Sequence, residues 1–123
     1  MSKDKVVAGK VQKRSESTEL TPLMVQYQSI KDEYRNEVLF FRLGDFYEMF
    51  NEDALEISRL LNLTLTHRAQ HPMCGIPYHA AKIYIARLLR LGKKIAICEQ
   101  VGEIGKGKTI AERKVIEIIT PGT

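Results

Sequence analysis

The chain has 123 residues, 44% of them hydrophobic, enough for one modest core and too few for two full domains. A formal net charge of +4 and a pI near 9.1 make a mild basic bias, compatible with a polyanionic partner and not diagnostic of one. Two cysteines, Cys74 and Cys98, exclude a disulfide framework. Nothing resembles a signal peptide and no apolar run approaches the ~20 residues of a membrane span, so a reducing, cytoplasmic setting is expected.

Residues 1–18 are polar, with Lys3, Lys5, Lys10, Lys13 and Arg14 among Ser, Glu and Gln, and lack an apolar period. They read as a disordered, basic-leaning tail, and residues 19–123 as the folded domain. Thr21-Pro22 is an N-cap followed by a favourable first helical residue. Leu23, Tyr27, Ile30 and Tyr34 then form one stripe of an amphipathic helix. Val38 to Leu43 reads as a buried strand, and Gly44-Asp45 as a two-residue hairpin turn whose first position needs φ > 0. The return strand, Phe46 to Phe50, alternates: Phe46, Glu48 and Phe50 on one face, Tyr47 and Met49 on the other. Phe50 lies further from the tip and is expected in the core. On residue type alone, Phe46 is as well an ordinary core aromatic as a surface contact.

Asn51 is the expected cap of the next helix, with Glu52 and Asp53 complementing its dipole, Ala54, Ile57, Leu60 and Leu61 facing inward, and Asn62 as a left-handed stop. Leu63 to Arg68 alternates as a strand. Residues 69–78, with Pro72, Gly75 and Pro77, read as a loop. A helix is predicted over about 79–91, with Ala81, Ile85, Leu88 and Leu89 inward and Gly92 as its stop. Strands follow at 94–101 and 113–120, joined by a Gly/Lys loop. Strand 63–68, the helix and strand 94–101 suggest a right-handed crossover, hence a mixed sheet. The predicted class is α+β: a single mixed sheet of about five to six strands with about three flanking helices.

Charge is unevenly spread. Residues 32–56 hold two arginines against eight acids, and residues 82–114 nine Lys/Arg against three Glu. Solvated helix faces give the same count as an acidic and a basic side, so a protein-interaction role for the acidic half stays open.

Three constellations invite enzymatic readings. Gly102-Glu103-Ile104-Gly105-Lys106-Gly107-Lys108-Thr109 matches G-x-x-x-x-G-K-[ST], which would cradle phosphates, with Lys108 on the terminal phosphates and Thr109 on magnesium. Such a loop must open a helix, yet Val115 to Thr120 is a β-branched run with strand propensity. Asp45 and Glu48, with Glu52 and Asp53, evoke a metal-dependent nuclease, but Asp45 and Glu48 point to opposite faces of a regular strand. His67, His71, Cys74 and His79 match no standard zinc spacing, and Cys74 reads as a small core hydrophobe. No catalytic residue and no metal ligand is therefore assigned.

Five blocks carry a resemblance. Thr21-Pro22-Leu23-Met24-Val25-Gln26-Tyr27, Gly44-Asp45-Phe46-Tyr47-Glu48-Met49-Phe50, Met73-Cys74-Gly75-Ile76-Pro77-Tyr78-His79-Ala80, Ile97-Cys98-Glu99-Gln100-Val101 and Thr120-Pro121-Gly122-Thr123 resemble, in order, the amino-terminal mismatch-recognition domain of the MutS family of DNA repair proteins. The likeness spans about residues 20–123. It implies a mixed sheet with flanking helices, mismatched double-stranded DNA as the partner, and Phe46 and Glu48 as the family's Phe-x-Glu motif. Phe46 would wedge between bases from the minor groove and stack on a mispaired or unpaired base, while Glu48 hydrogen-bonds that base. A protonated Glu48 could donate to a ring nitrogen.

Arg68, Met73, Pro77 and Tyr78 lie where the family approaches DNA, although Ala69-Gln70-His71-Pro72 and Cys74 depart from its usual pattern. Lys106 and Lys108 are candidate phosphate contacts on charge alone. Family members continue into connector, lever, clamp and ATPase domains, dimerise and work with other mismatch repair proteins. ATP and magnesium are thus expected only in a full-length parent, and this chain is expected to be a non-enzymatic first domain with no cofactor of its own.

Overall fold

Thr21 Oγ1 accepts a hydrogen bond from the Met24 N–H at 3.3 Å, and Pro22 opens helix α1, Pro22–Glu33, as the sequence predicts. This computed structural model describes residues 20–122 except 103, 106 and 108. The tail at 1–18 and the candidates Lys106 and Lys108 lie outside the described residues. After α1 come β1 (Val38–Leu43), β2 (Phe46–Phe50), α2 (Asn51–Leu61), β3 (Thr66–Arg68) and β4 (His71–Pro77). A 3-10 turn at Tyr78–Ala80 leads into α3 (Ala81–Arg90), followed by β5 (Ile95–Gln100) and β6 (Arg113–Ile119).

The six strands form one sheet in the order β3-β4-β2-β1-β5-β6. It is mixed, as expected: β1 and β5 run parallel and the other neighbours antiparallel. The parallel pair is nevertheless not the one expected. Strand β5 joins β1, because β2 and β4 occupy the sheet on the far side of β1 and leave β3 at the edge.

Two segments differ from expectation for physical reasons. Residues 69–78 are largely a strand, with Cys74 and Ile76 buried, rather than a loop. The prolines of β4 stand second and last, so Met73 to Ile76 keep their N–H donors between β2 and β3. Conversely, β3 is only three residues long. Asn62 takes the left-handed conformation (φ 58°, ψ 47°) that stops α2, and Leu63 N–H returns to Ser58 O at 2.8 Å. Leu63 thereby completes a helix cap and packs on the core instead of starting a strand.

Helix α1 covers part of one face of the sheet. Its Met24 and Tyr27 pack on Leu39, Phe41, Phe50, Ala96 and Cys98. Helices α2 and α3 cover the other, where Ala54, Ile57, Leu61, Ala81 and Leu88 meet Val38, Phe40, Tyr47, Met49, Cys74, Ile76, Ile95 and Ile97. Gly92, at φ 84°, ends α3 with its N–H on Leu89 O at 2.9 Å. Asn51 is not a side-chain cap: it sits at the first helical position with φ 55°, and its Oδ1 lies 3.0 Å from His71 Nδ1.

Asp53 does more than complement a helix dipole. It is buried, its Oδ2 accepts from the Leu39 N–H at 3.0 Å, and it pairs with Lys31 at 3.0 Å. Asp32, Glu48 and Glu56 likewise pair with Arg35, Arg68 and Lys93. Much of the acidic excess in 32–56 is therefore neutralised within the fold. Among the described residues, no helix is long and apolar enough to cross a membrane.

Candidate nucleic-acid interface

The β1–β2 turn has the predicted geometry: Gly44 lies at φ 57°, and Leu43 pairs with Phe46 across it. Alternation along β2 then acts as expected. Tyr47 and Met49 enter the α2/α3 core, and Phe50 enters the α1 core at 0% exposure. Phe46, on the same face as Phe50, stays 44% exposed at the tip.

Register extends this face across β4 and β3. Phe46 stands opposite Pro77, Glu48 opposite Gly75 and Phe50 opposite Met73, while Arg68 pairs with His71 at the sheet edge. Alternation along β4 puts Met73, Gly75 and Pro77 on the Phe46 face. Helix α1 covers the β1–β5 half of that face and reaches Phe50, with Met73 partly buried against the same cluster; among the described residues no helix covers the rest of this half, where Gly75 and Pro77 are only partly buried. A Cβ built on Gly75 would lie 3.5 Å from the Phe46 ring and 3.7 Å from Glu48 Cγ. Glycine there leaves the Phe46 ring lying directly across the strand backbone.

Glu48 does not project freely beside Phe46. It is 5% exposed, and Arg68 donates to it through Nε at 2.8 Å to Oε1 and Nη2 at 2.9 Å to Oε2. This fork raises Arg68 above the ordinary guanidinium range, against the lowering effect of desolvation.

Tyr78 is not brought to this face. Its ring lies under the Arg42 guanidinium, 3.6 Å from centroid to carbon, and 6.0 Å from the Tyr47 ring on the opposite side of the hairpin. Arg42 also pairs with Glu99 at 3.0 Å and donates to Gly44 O at 2.7 Å, and Tyr47 OH bonds to Glu99. Burial first, then the Glu99 bond, raises the Tyr47 phenol well above its usual range. Tyr78 N–H closes the brace on Asp45 O at 2.7 Å. Sequence reasoning assigned no role to Arg42 or Glu99: Arg42 stands opposite Tyr47 on β1, and Glu99 lies one strand further on, on β5, a neighbour that only the strand order reveals.

The enzymatic constellations do not assemble. Asp45 is exposed in the turn while Glu48 is held by Arg68. Thr109 is followed by β6 and not by the helix that a phosphate loop opens. Cys74 is sealed in the core, where burial pushes its thiol up to about 11. Among the described residues, no three His, Cys, Asp or Glu side chains converge as a metal-binding group.

Fold and face together define an α+β domain whose distinctive surface is an open half of a sheet, tipped by a braced aromatic ring. The family model described as MutS domain I matches residues 21–123, and the chain belongs to that family. It is 72% identical over 103 residues to the DNA mismatch repair protein MutS of Treponema denticola, covering 84% of this chain and 11% of that protein. It is 56% identical over 110 residues to the protein of that name from Thermodesulfovibrio yellowstonii, covering 85% and 13%. The Borreliella burgdorferi protein of the same name is 55% identical over 103 residues, covering 84% and 12%. The chain thus spans only 11–13% of the length of these relatives.

Proposed function

We propose that this chain is a DNA mismatch-recognition module, binding duplex DNA through the open half of the sheet. The observation that carries this reading is Phe46, a 44% exposed aromatic on a hairpin tip whose neighbours along the strand are all buried. A side chain that the core does not use, on a tip braced from behind by Arg42, Glu99, Tyr47 and Tyr78, suits insertion between base pairs. Inserted wedges unstack a step at a cost of a few kcal/mol and gain the contacts that a kinked duplex offers. A mispair has already lost pairing and stacking, so it deforms more easily than a Watson–Crick step. Phenylalanine suits this because every base has a face to stack on.

In this reading Glu48 hydrogen-bonds the displaced base, and Met73 and Pro77 flank the wedge. Tyr78 stabilises the tip from behind rather than touching DNA. Lys106 and Lys108 are assigned to phosphate contact on charge. The module itself performs no chemistry. Adenine-nucleotide hydrolysis with magnesium, homodimer formation and contacts with other repair proteins are assigned to a longer parent, acting in the cytoplasm.

The test is the affinity for a duplex with one mispair against the same duplex fully paired, over a salt series, for the wild type and Phe46→Ala. A preference for the mispair that Phe46→Ala abolishes is expected. A preference that survives the substitution refutes the wedge.

A further inference from the structure

Sequence reasoning grouped Arg68 with the cations that touch DNA, but its geometry assigns it another task. A carboxylate is the least expected group on a surface that meets phosphates, and Glu48 is also largely removed from water. Burying an ionised group is unfavourable unless it is paired and hydrogen-bonded. Here both oxygens are bonded by one guanidinium, Nε at 2.8 Å and Nη2 at 2.9 Å, a planar fork that arginine forms and lysine cannot. Arg68 is itself anchored. It ends the edge strand β3 and is followed by a two-residue turn in which Ala69 and Gln70 are both left-handed, at φ 50° and 67°. The side chains of Arg68 and Glu48 meet across β4, which presents only Gly75 at the register position of Glu48.

We propose that Arg68 is a positioning residue for Glu48: it offsets the carboxylate's charge beside the phosphates and aims it at the displaced base, instead of binding a phosphate itself. This role rests on the mismatch-recognition reading. Without Arg68, Glu48 would be repelled by the DNA and free to rotate. With it, the face presents a carboxylate of fixed orientation inside a neutral pair.

The experiment is a double-mutant cycle in this chain, with Arg68→Gln, Glu48→Ala and the double variant, on mispaired and fully paired duplexes across a salt series. Arg68→Gln is expected to lower the mispaired-to-paired affinity ratio by on the order of tenfold, the worth of one charge-assisted hydrogen bond. Glu48→Ala should lower it as far, and the double variant no further. Arg68→Lys, which keeps the charge without the fork, should recover only part of the ratio. The salt slope on paired duplex should not change.

A phosphate contact predicts the opposite: Arg68→Gln weakens both duplexes alike, reduces the salt slope by about one, and adds to Glu48→Ala. That outcome overturns the positioning role and leaves the wedge standing. A wild-type chain with no mispair preference overturns the proposed function and this role together. The pair is also read without DNA, from the Arg68 Nε–H resonance by NMR. A slowly exchanging proton that becomes ordinary in Glu48→Ala supports it, and an ordinary one in the wild type overturns it.

Discussion

Phe41 and Phe46 stand on the same face of the β1–β2 hairpin, yet truncating them should have opposite consequences. Phe41 is 0% exposed, with the Tyr27 ring edge-on at 5.4 Å, Phe50 at 6.2 Å and the Arg113 guanidinium 5.0 Å over its face. Phe41→Ala opens a closed cavity and should destabilise by about 3–5 kcal/mol, a large part of the ~5–15 kcal/mol that holds a domain folded. Phe46 buries about half of its surface and borders solvent. Against the roughly 1.5–3 kcal/mol for a fully buried apolar side chain, Phe46→Ala should lose about 1 kcal/mol, with no enclosed void. Urea unfolding followed by circular dichroism gives both values from the midpoints, provided that the slopes agree. Binding should invert the order among folded variants. Loss of one base stack, about 1–3 kcal/mol, lowers affinity for mispaired duplex by roughly fivefold to more than a hundredfold in Phe46→Ala. An unfolding midpoint for Phe46→Ala as low as that of Phe41→Ala would refute the reasoning, because Phe46 would then be a core residue.

Removing Asp53 should expose its structural role. Asp53→Ala leaves the buried Leu39 N–H without its acceptor and Lys31 without its carboxylate, at about 1–3 kcal/mol, although Lys31 keeps the Glu37 carbonyl at 2.6 Å. Asp32→Ala, at the exposed pair with Arg35, should change stability by less than ~0.5 kcal/mol. Native-state hydrogen exchange at Leu39, faster in the first variant only, checks the cause. Alkaline pH should destabilise the fold. Burial pushes the thiols of Cys74 and Cys98 up to about 11 and 12 from an ordinary 9.0, and raises the phenols of Tyr27 and Tyr47 in the same sense. The folded state therefore holds protons that the unfolded chain releases above pH 9. Their contribution is complete below that pH and declines as pH climbs toward 12, by at most about 1.4 kcal/mol per unit for each group. Urea midpoints measured from pH 7 to 11 should hold and then drop, less steeply in Cys98→Ala; a flat series contradicts the assignment.

The hairpin tip was legible because its information is local. Gly44 is required by a positive φ, and period-two alternation alone separates Phe46, Glu48 and Phe50 from Tyr47 and Met49. Thr21-Pro22, Asn62 and Gly92 marked helix ends for the same reason: a cap or a left-handed stop is a property of one or two residues. Strand β4 was not legible, because Pro72, Gly75 and Pro77 carry the composition of a loop until two neighbouring strands supply hydrogen-bond partners. With β4 unplaced, β5 had no visible reason to choose β1, and Asn51 no visible neighbour in His71.

The amino-acid sequence by itself determined the α+β class, the two-residue turn and the identity of the aromatic and the carboxylate near its tip. Only the tertiary structure decided that Phe46 is spared by the core, that Tyr78 braces the tip from behind, and that Glu48 is held by Arg68. Those outcomes depend on which strands become neighbours and which half of a sheet one helix can cover. Such long-range choices are made by the summed burial of a whole core, and no single residue's spacing records them.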